Sequence, residues 1–93
     1  MKDKEYIVKK LIEIFKFMGY DFNENTHFKN DLGNKRFGMI EVGILGNEIE
    51  YEFSLITTVA DLKKMFNGTL GDMAEWLHTK LINKNNKLHG SRK

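Results

Sequence analysis

The chain has 93 residues, 41% of them hydrophobic and 30% charged, and a net charge of +2 at neutral pH. That is the size and balance of one small globular domain, with too modest a core for a deep active site and too little net charge to imply a partner. Cysteine is absent, which excludes disulfides and thiolate metal sites, and no apolar run approaches the ~20 residues that a membrane-spanning helix needs.

The first residues, Met1-Lys2-Asp3-Lys4-Glu5, lead into a charged amphipathic segment rather than the apolar stretch of a signal peptide, so a cytoplasmic protein is expected. Asp3 is placed to cap a helix. Its apolar residues Ile7, Leu11, Ile14, Phe15 and Met18 recur at helical spacing, and Val8, Ile12 and Phe17 widen the stripe. Gly19 can end this helix, because glycine readily takes the left-handed backbone that helix ends use. Tyr20 to Asn25 reads as a loop.

The period then changes. Ile40, Val42 and Ile44, and after them Ile49, Tyr51, Phe53 and Leu55, fall on alternate positions, which predicts two strands. Gly46-Asn47 suits a two-residue hairpin turn. In that register Ile44 faces Ile49, Val42 faces Tyr51 and Ile40 faces Phe53, all on one side of the sheet. Leu32-Gly33-Asn34 would turn an earlier strand, from about Thr26 to Leu32, into the same sheet, with Phe28 opposite Met39 and Asp31 opposite Arg36. Two short helices follow, each opened by threonine with an aspartate three residues on: Thr58 with Asp61, and Thr69 with Asp72. The first buries Val59, Leu62, Met65 and Phe66 and stops at Asn67-Gly68. The second buries Leu70, Met73, Ala74, Leu77 and Leu81, with Trp76 beside them as a core residue. The expected fold is therefore α+β: a helix, a three-stranded antiparallel meander and two short helices in one domain over residues 1–82. Residues 83–93, with Lys84, Lys87, Arg92 and Lys93 and no acid, read as a basic, disordered tail.

Catalytic signals are sparse. His27, His78 and His89 lie on different predicted elements without metal-ligand spacing, and a His27–Asp31 pair reads as a solvated contact. Gly33, Gly38, Gly43 and Gly46 form no phosphate-binding pattern. Ser54 and Ser91, the only serines, have no base and orienting acid to act with. Neither an enzyme nor a cofactor is expected.

The charge distribution is the functional lead. Residues 37–61 hold no lysine or arginine but carry Glu41, Glu48, Glu50, Glu52 and Asp61. In the hairpin, Glu48, Glu50 and Glu52 share the outer face and Glu41 stands across from Glu52. Like charges so opposed cost stability, which points to a basic partner surface. The expected function is a non-enzymatic protein-binding module with Glu41, Glu48, Glu50 and Glu52 as its contact face, in its sharpest form an inhibitor that fills a basic nucleic-acid groove. The layout resembles that of small phage inhibitors of CRISPR nucleases, in which a helix, a three-stranded sheet and two helices carry carboxylates that occupy a DNA-binding site. The alternative is direct RNA or DNA binding through Lys35, Arg36, Lys63, Lys64 and the tail. A helix, three strands and a helix is also the order of double-stranded-RNA-binding domains, whose lysines at the start of the last helix grip phosphates.

A further set of residues points to a different fold. Val8-Lys9-Lys10-Leu11-Ile12, Gly19, Asn25, Phe28 and Asp31-Leu32-Gly33 resemble the first helix and loop of acyl carrier proteins at nearly that family's spacing. Leu70-Gly71-Asp72 resembles the start of its last helix, and together the matches cover roughly half of the ordered chain. The resemblance implies an all-α, four-helix fold. Its second helix would have to hold Gly38, Gly43 and Gly46, each costing about 1 kcal/mol against alanine. In carrier proteins the serine three residues after Asp-Leu-Gly bears phosphopantetheine; here that position is Arg36. What the resemblance implies is thus a degenerate carrier-like interaction protein without a prosthetic arm.

Overall fold

In the computed structural model, which describes residues 3–32 and 38–90 except for the side chains of 31, 32 and 85–90, the first helix begins where its cap predicts. The Asp3 carboxylate accepts a hydrogen bond from the Tyr6 amide at 2.8 Å, and α1 spans Lys4–Phe17. It ends at Gly19, whose φ of 98° is open to glycine and strained for any other residue. There the Tyr20 amide reaches back to the Phe15 carbonyl at 2.8 Å and the Gly19 amide to that of Lys16 at 3.0 Å, a paired closure of the last turn. The Phe15 and Tyr20 rings meet edge to face with centroids 6.4 Å apart, which adds the apolar contact that usually accompanies such an end.

The α+β expectation is overturned. The described residues form five helices and no strand: α1, the short α2 (Phe28–Leu32), α3 (Met39–Phe53), α4 (Val59–Met65) and α5 (Leu70–Gly90). The segment read as a hairpin is one helix, α3. Its buried residues are Val42, Leu45, Ile49 and Phe53, at i, i+3, i+7 and i+11, so a complete helical stripe runs through the same residues that alternate. Leu45, assigned to the turn, is fully buried, whereas Ile40, Ile44 and Tyr51, assigned to the apolar sheet face, are exposed. Ser54 is incompatible with a continuing strand. It closes α3 in the left-handed conformation (φ 54°) with its amide on the Glu50 carbonyl at 2.8 Å, and the Lys84 ammonium donates to its carbonyl. The earlier strand is also absent where it is described. Thr26 to Phe28 pass through a single antiparallel bridge between His27 and Thr69 into α2, and the turn at Leu32-Gly33-Asn34 lies mostly outside the described residues.

The all-helical alternative drawn from the carrier resemblance agrees with this at the level of element order, with four substantial helices and one short one. Gly43 and Gly46 lie inside α3 and Gly38 caps it, where the Glu41 carboxylate accepts the Gly38 amide at 2.8 Å. Burial of four large side chains, each contributing on the order of 1.5–3 kcal/mol, outweighs two internal glycines at about 1 kcal/mol each.

Both threonine–aspartate caps are present. The Asp61 amide donates to Thr58 Oγ1 at 3.0 Å and the Thr58 amide to Asp61 Oδ2 at 3.1 Å; Thr69 and Asp72 repeat the exchange at 3.1 and 2.9 Å. Of the residues expected inside these last two helices, Leu62, Met65, Leu70, Met73, Ala74 and Leu77 are buried; Phe66, Leu81 and Trp76 pack partly buried against them, and Val59 is exposed. The core is one cluster. α1 packs most extensively against α5, and α3 bridges α1 and α4. Backbone bonds from Phe28 to the Gly68 carbonyl and from Leu70 to the Thr26 carbonyl, 3.1 and 3.0 Å, tie the loop after α1 to the α4–α5 turn. α5 continues through residues 83–90 of the segment read as a tail.

Truncating Leu45 and Ile44 separates helix from hairpin. Leu45→Ala should cost about 2–5 kcal/mol, as for a filled core site, and Ile44→Ala less than about 1 kcal/mol, where the hairpin predicts the reverse order. Ser54→Gly, which relieves a left-handed non-glycine residue, should raise stability by about 1 kcal/mol. Urea denaturation followed by far-ultraviolet circular dichroism measures all three.

Candidate interaction surface

A helix that serves as a packing element is ordinarily apolar on one side and polar on the other. α3 departs from this. Opposite its buried stripe, Ile40, Ile44 and Tyr51 follow one another at i, i+4 and i+11, with Asn47 between them. Ile40 is 76% exposed and Tyr51 86% exposed. Met39, at the start of the helix, is exposed as well. Across roughly three turns, about 16 Å by the helical rise, the outward face of α3 thus presents three apolar side chains, interrupted by Asn47, with nothing covering them among the described residues.

The four glutamates singled out from the sequence all lie on α3, but the helical period divides them. Glu41, Glu48 and Glu52 recur at i, i+7 and i+11 on the flank toward α1, and Glu50 lies on the flank toward α4. No row of four carboxylates exists, because the spacing that aligned them belongs to a strand. Two of the four have local duties. Glu41 caps its own helix through the Gly38 amide and stands near Tyr20, whose phenol is raised above its ordinary value of 10.0 chiefly by burial and then by that carboxylate. Glu52 accepts the Tyr6 hydroxyl at 2.9 Å and lies 3.9 Å from the Lys10 ammonium, which also meets Glu13 at 3.4 Å. Glu48 is half-buried and Glu50 exposed.

Of the residues assigned to nucleic acid, Lys63 and Lys64 are exposed side by side at the end of α4, and Lys35 and Arg36 lie outside the described residues. Trp76 is half-buried against the core with the Lys80 ammonium 5.1 Å from its ring centre, so it is no free anchor. His27 accepts the Asn30 amide through Nδ1 at 3.4 Å; the Asp31 side chain, its suggested partner, lies outside the described residues. No group of three or more histidine, aspartate or glutamate side chains among the described residues is placed to hold a metal ion, and no described helix is long and apolar enough to cross a membrane.

The strand reading also hid a shallow notch of about 200 Å³ between α3 and α4. Gly43 leaves the outer part of one flank of α3 bare, Gly46 lies deeper with Leu62 and Thr57 against it, Val59 and Leu62 form the facing wall, and Asn47 and Glu50 stand at the rim. A Cβ on Gly43 would meet nothing within 4 Å. Thr57 lines the same notch, and its hydroxyl oxygen is buried with no hydrogen-bond partner among the described residues. The signal available in the sequence was the i, i+3 spacing of the two glycines, which marks a bare helix flank only once the segment is known to be helical.

The Tyr6–Glu52 contact has a pH signature. The hydrogen bond to Glu52, then burial and the same carboxylate's charge, raise the Tyr6 phenol above 10.0. A group raised on folding stabilises the fold while it is protonated in both states and ceases to do so as pH rises through its folded value. Wild type should therefore be more stable than Tyr6→Phe at neutral pH, and the gap should close above pH 10, measured by denaturant titration across that range. A scan of protein-family models finds no match to the chain, and no curated protein or solved structure matches it.

Proposed function

We propose that this chain is a non-enzymatic protein-binding domain that presents the outer face of α3 to its partner. The single observation that carries this is the exposure of Ile40, Ile44 and Tyr51 opposite the core. Large apolar side chains gathered on one exposed helix face are costly to leave in water and mark interaction sites. The charge beside it favours a basic partner, since Glu48 and Glu50 flank the stripe and α3 carries no lysine or arginine. This moves the contact from four glutamates on a sheet to an apolar stripe with Glu48 and Glu50 beside it. A phosphate-mimicking row that would fill a nucleic-acid groove has no support in the helical arrangement. A carrier-like interaction protein without its prosthetic arm remains compatible with the helix order and would also act by binding proteins.

The test is affinity capture from a lysate of the producing cells, with and without nuclease, using wild type, Ile40→Ser, Tyr51→Ser and a Lys63→Glu/Lys64→Glu double variant. Ile40→Ser and Tyr51→Ser should each weaken capture of a specific protein about tenfold, equivalent to about 1.4 kcal/mol, with unchanged circular dichroism and resistance to nuclease. Capture that nuclease abolishes, or that only the lysine variant loses, overturns the proposal in favour of nucleic-acid binding.

A further inference from the structure

The notch between α3 and α4 lies beside the exposed stripe, so the two form a ridge and a hole on one surface. Ile40 and Ile44 make the ridge, and the open space at Gly43, with Gly46 and Leu62 in contact beneath it, makes the hole. Resting on the protein-binding reading above, the geometry points to an amphipathic helix of a partner protein as the occupant. One of its apolar side chains enters the notch, and a lysine or arginine one turn away pairs with Glu50. Three observations converge on this.

The first is shape. A helix packs on another by seating side chains in the gaps between the other's ridges, and a glycine in such a gap lets the axes approach more closely. Gly43 supplies that gap at the solvent face, with open space where its side chain would be. The second is chemistry. Val59 and Leu62 make the wall apolar, and Glu50 is an exposed carboxylate at its rim. The third is charge, which decides between a foreign helix and a second copy of this chain. A symmetric contact of two α3 faces would set the same surface against itself. With no lysine or arginine in residues 37–61, it would oppose glutamates to glutamates. A helix with lysines or arginines along its apolar stripe removes that repulsion.

The experiment uses the full chain and two synthetic helical peptides with the same leucine spacing, one with lysines and one with glutamates on the polar positions. Binding is read by fluorescence anisotropy at low and moderate salt, and self-association by sedimentation. The lysine peptide should bind at least tenfold more tightly than the glutamate peptide, with the difference shrinking as salt rises. Gly43→Leu, which fills the notch while favouring the helix, should weaken binding at least tenfold without loss of stability. Glu50→Lys should shift preference toward the acidic peptide. Equal binding of the two peptides, or binding indifferent to Gly43→Leu, overturns this inference but leaves the apolar-face reading standing if Ile40→Ser still weakens binding. No binding of either peptide overturns it too, and the lysate capture then judges the broader reading alone. Concentration-dependent dimers lost on Gly43→Leu overturn it in favour of a second copy.

Discussion

Phe15 sits at the centre of an aromatic cluster on which the arrangement of the helices depends. Its ring centroid is 5.0 Å from that of Phe22 and 5.5 Å from that of Phe28, and Phe28 is in turn 5.0 Å from Phe66. These four rings come from α1, the loop after it, α2 and the end of α4. The loop therefore does more than connect. Phe22 is buried, Thr26 is buried with its hydroxyl accepting the Asn23 amide, and the backbone of Thr26 and Phe28 is bonded to the α4–α5 turn. A polar-looking segment is held as firmly as a helix because two phenylalanines anchor it and its backbone groups are matched to a specific neighbour.

α3 is placed by this frame from two sides. Tyr6 and Lys10 of α1 engage Glu52, while Leu62 of α4 lies against the Gly46 flank. With α1 engaged on one flank, α4 against only the Gly46 part of the other, and Val42, Leu45, Ile49 and Phe53 committed inward, the face through Ile40, Ile44 and Tyr51 is left outward. The exposed stripe thus follows from the packing of the other three sides.

The ends of the helices were legible in the sequence because capping is local chemistry. Asp3, Gly19, Thr58 with Asp61 and Thr69 with Asp72 act within one turn, and the structure has each of them in its expected place. The interior of residues 38–55 was not legible, for a reason visible in the residues. Val42, Ile49 and Phe53 satisfy both a period of two and a helical period, so they cannot discriminate. Leu45 could, since only the helix buries it, but Gly46-Asn47 beside it mimics a turn and draws it into the loop. The glycines then count against a helix on propensity, a weak prior that tertiary burial overrode. The same mistake dispersed the candidate site. Four glutamates were grouped by strand geometry, while the apolar residues that face solvent were counted as core.

The dominance of α1 against α5 bears on how the core closes. Ile7, Leu11, Ile14 and Phe15 are buried on α1, and α5, the helix that α1 packs against most, follows only after three intervening helices. The domain then closes as a unit rather than growing from its N-terminus. Cutting the chain between α4 and α5 would leave the apolar stripe of α1 without the helix it packs against most, so neither half carries a complete core by itself.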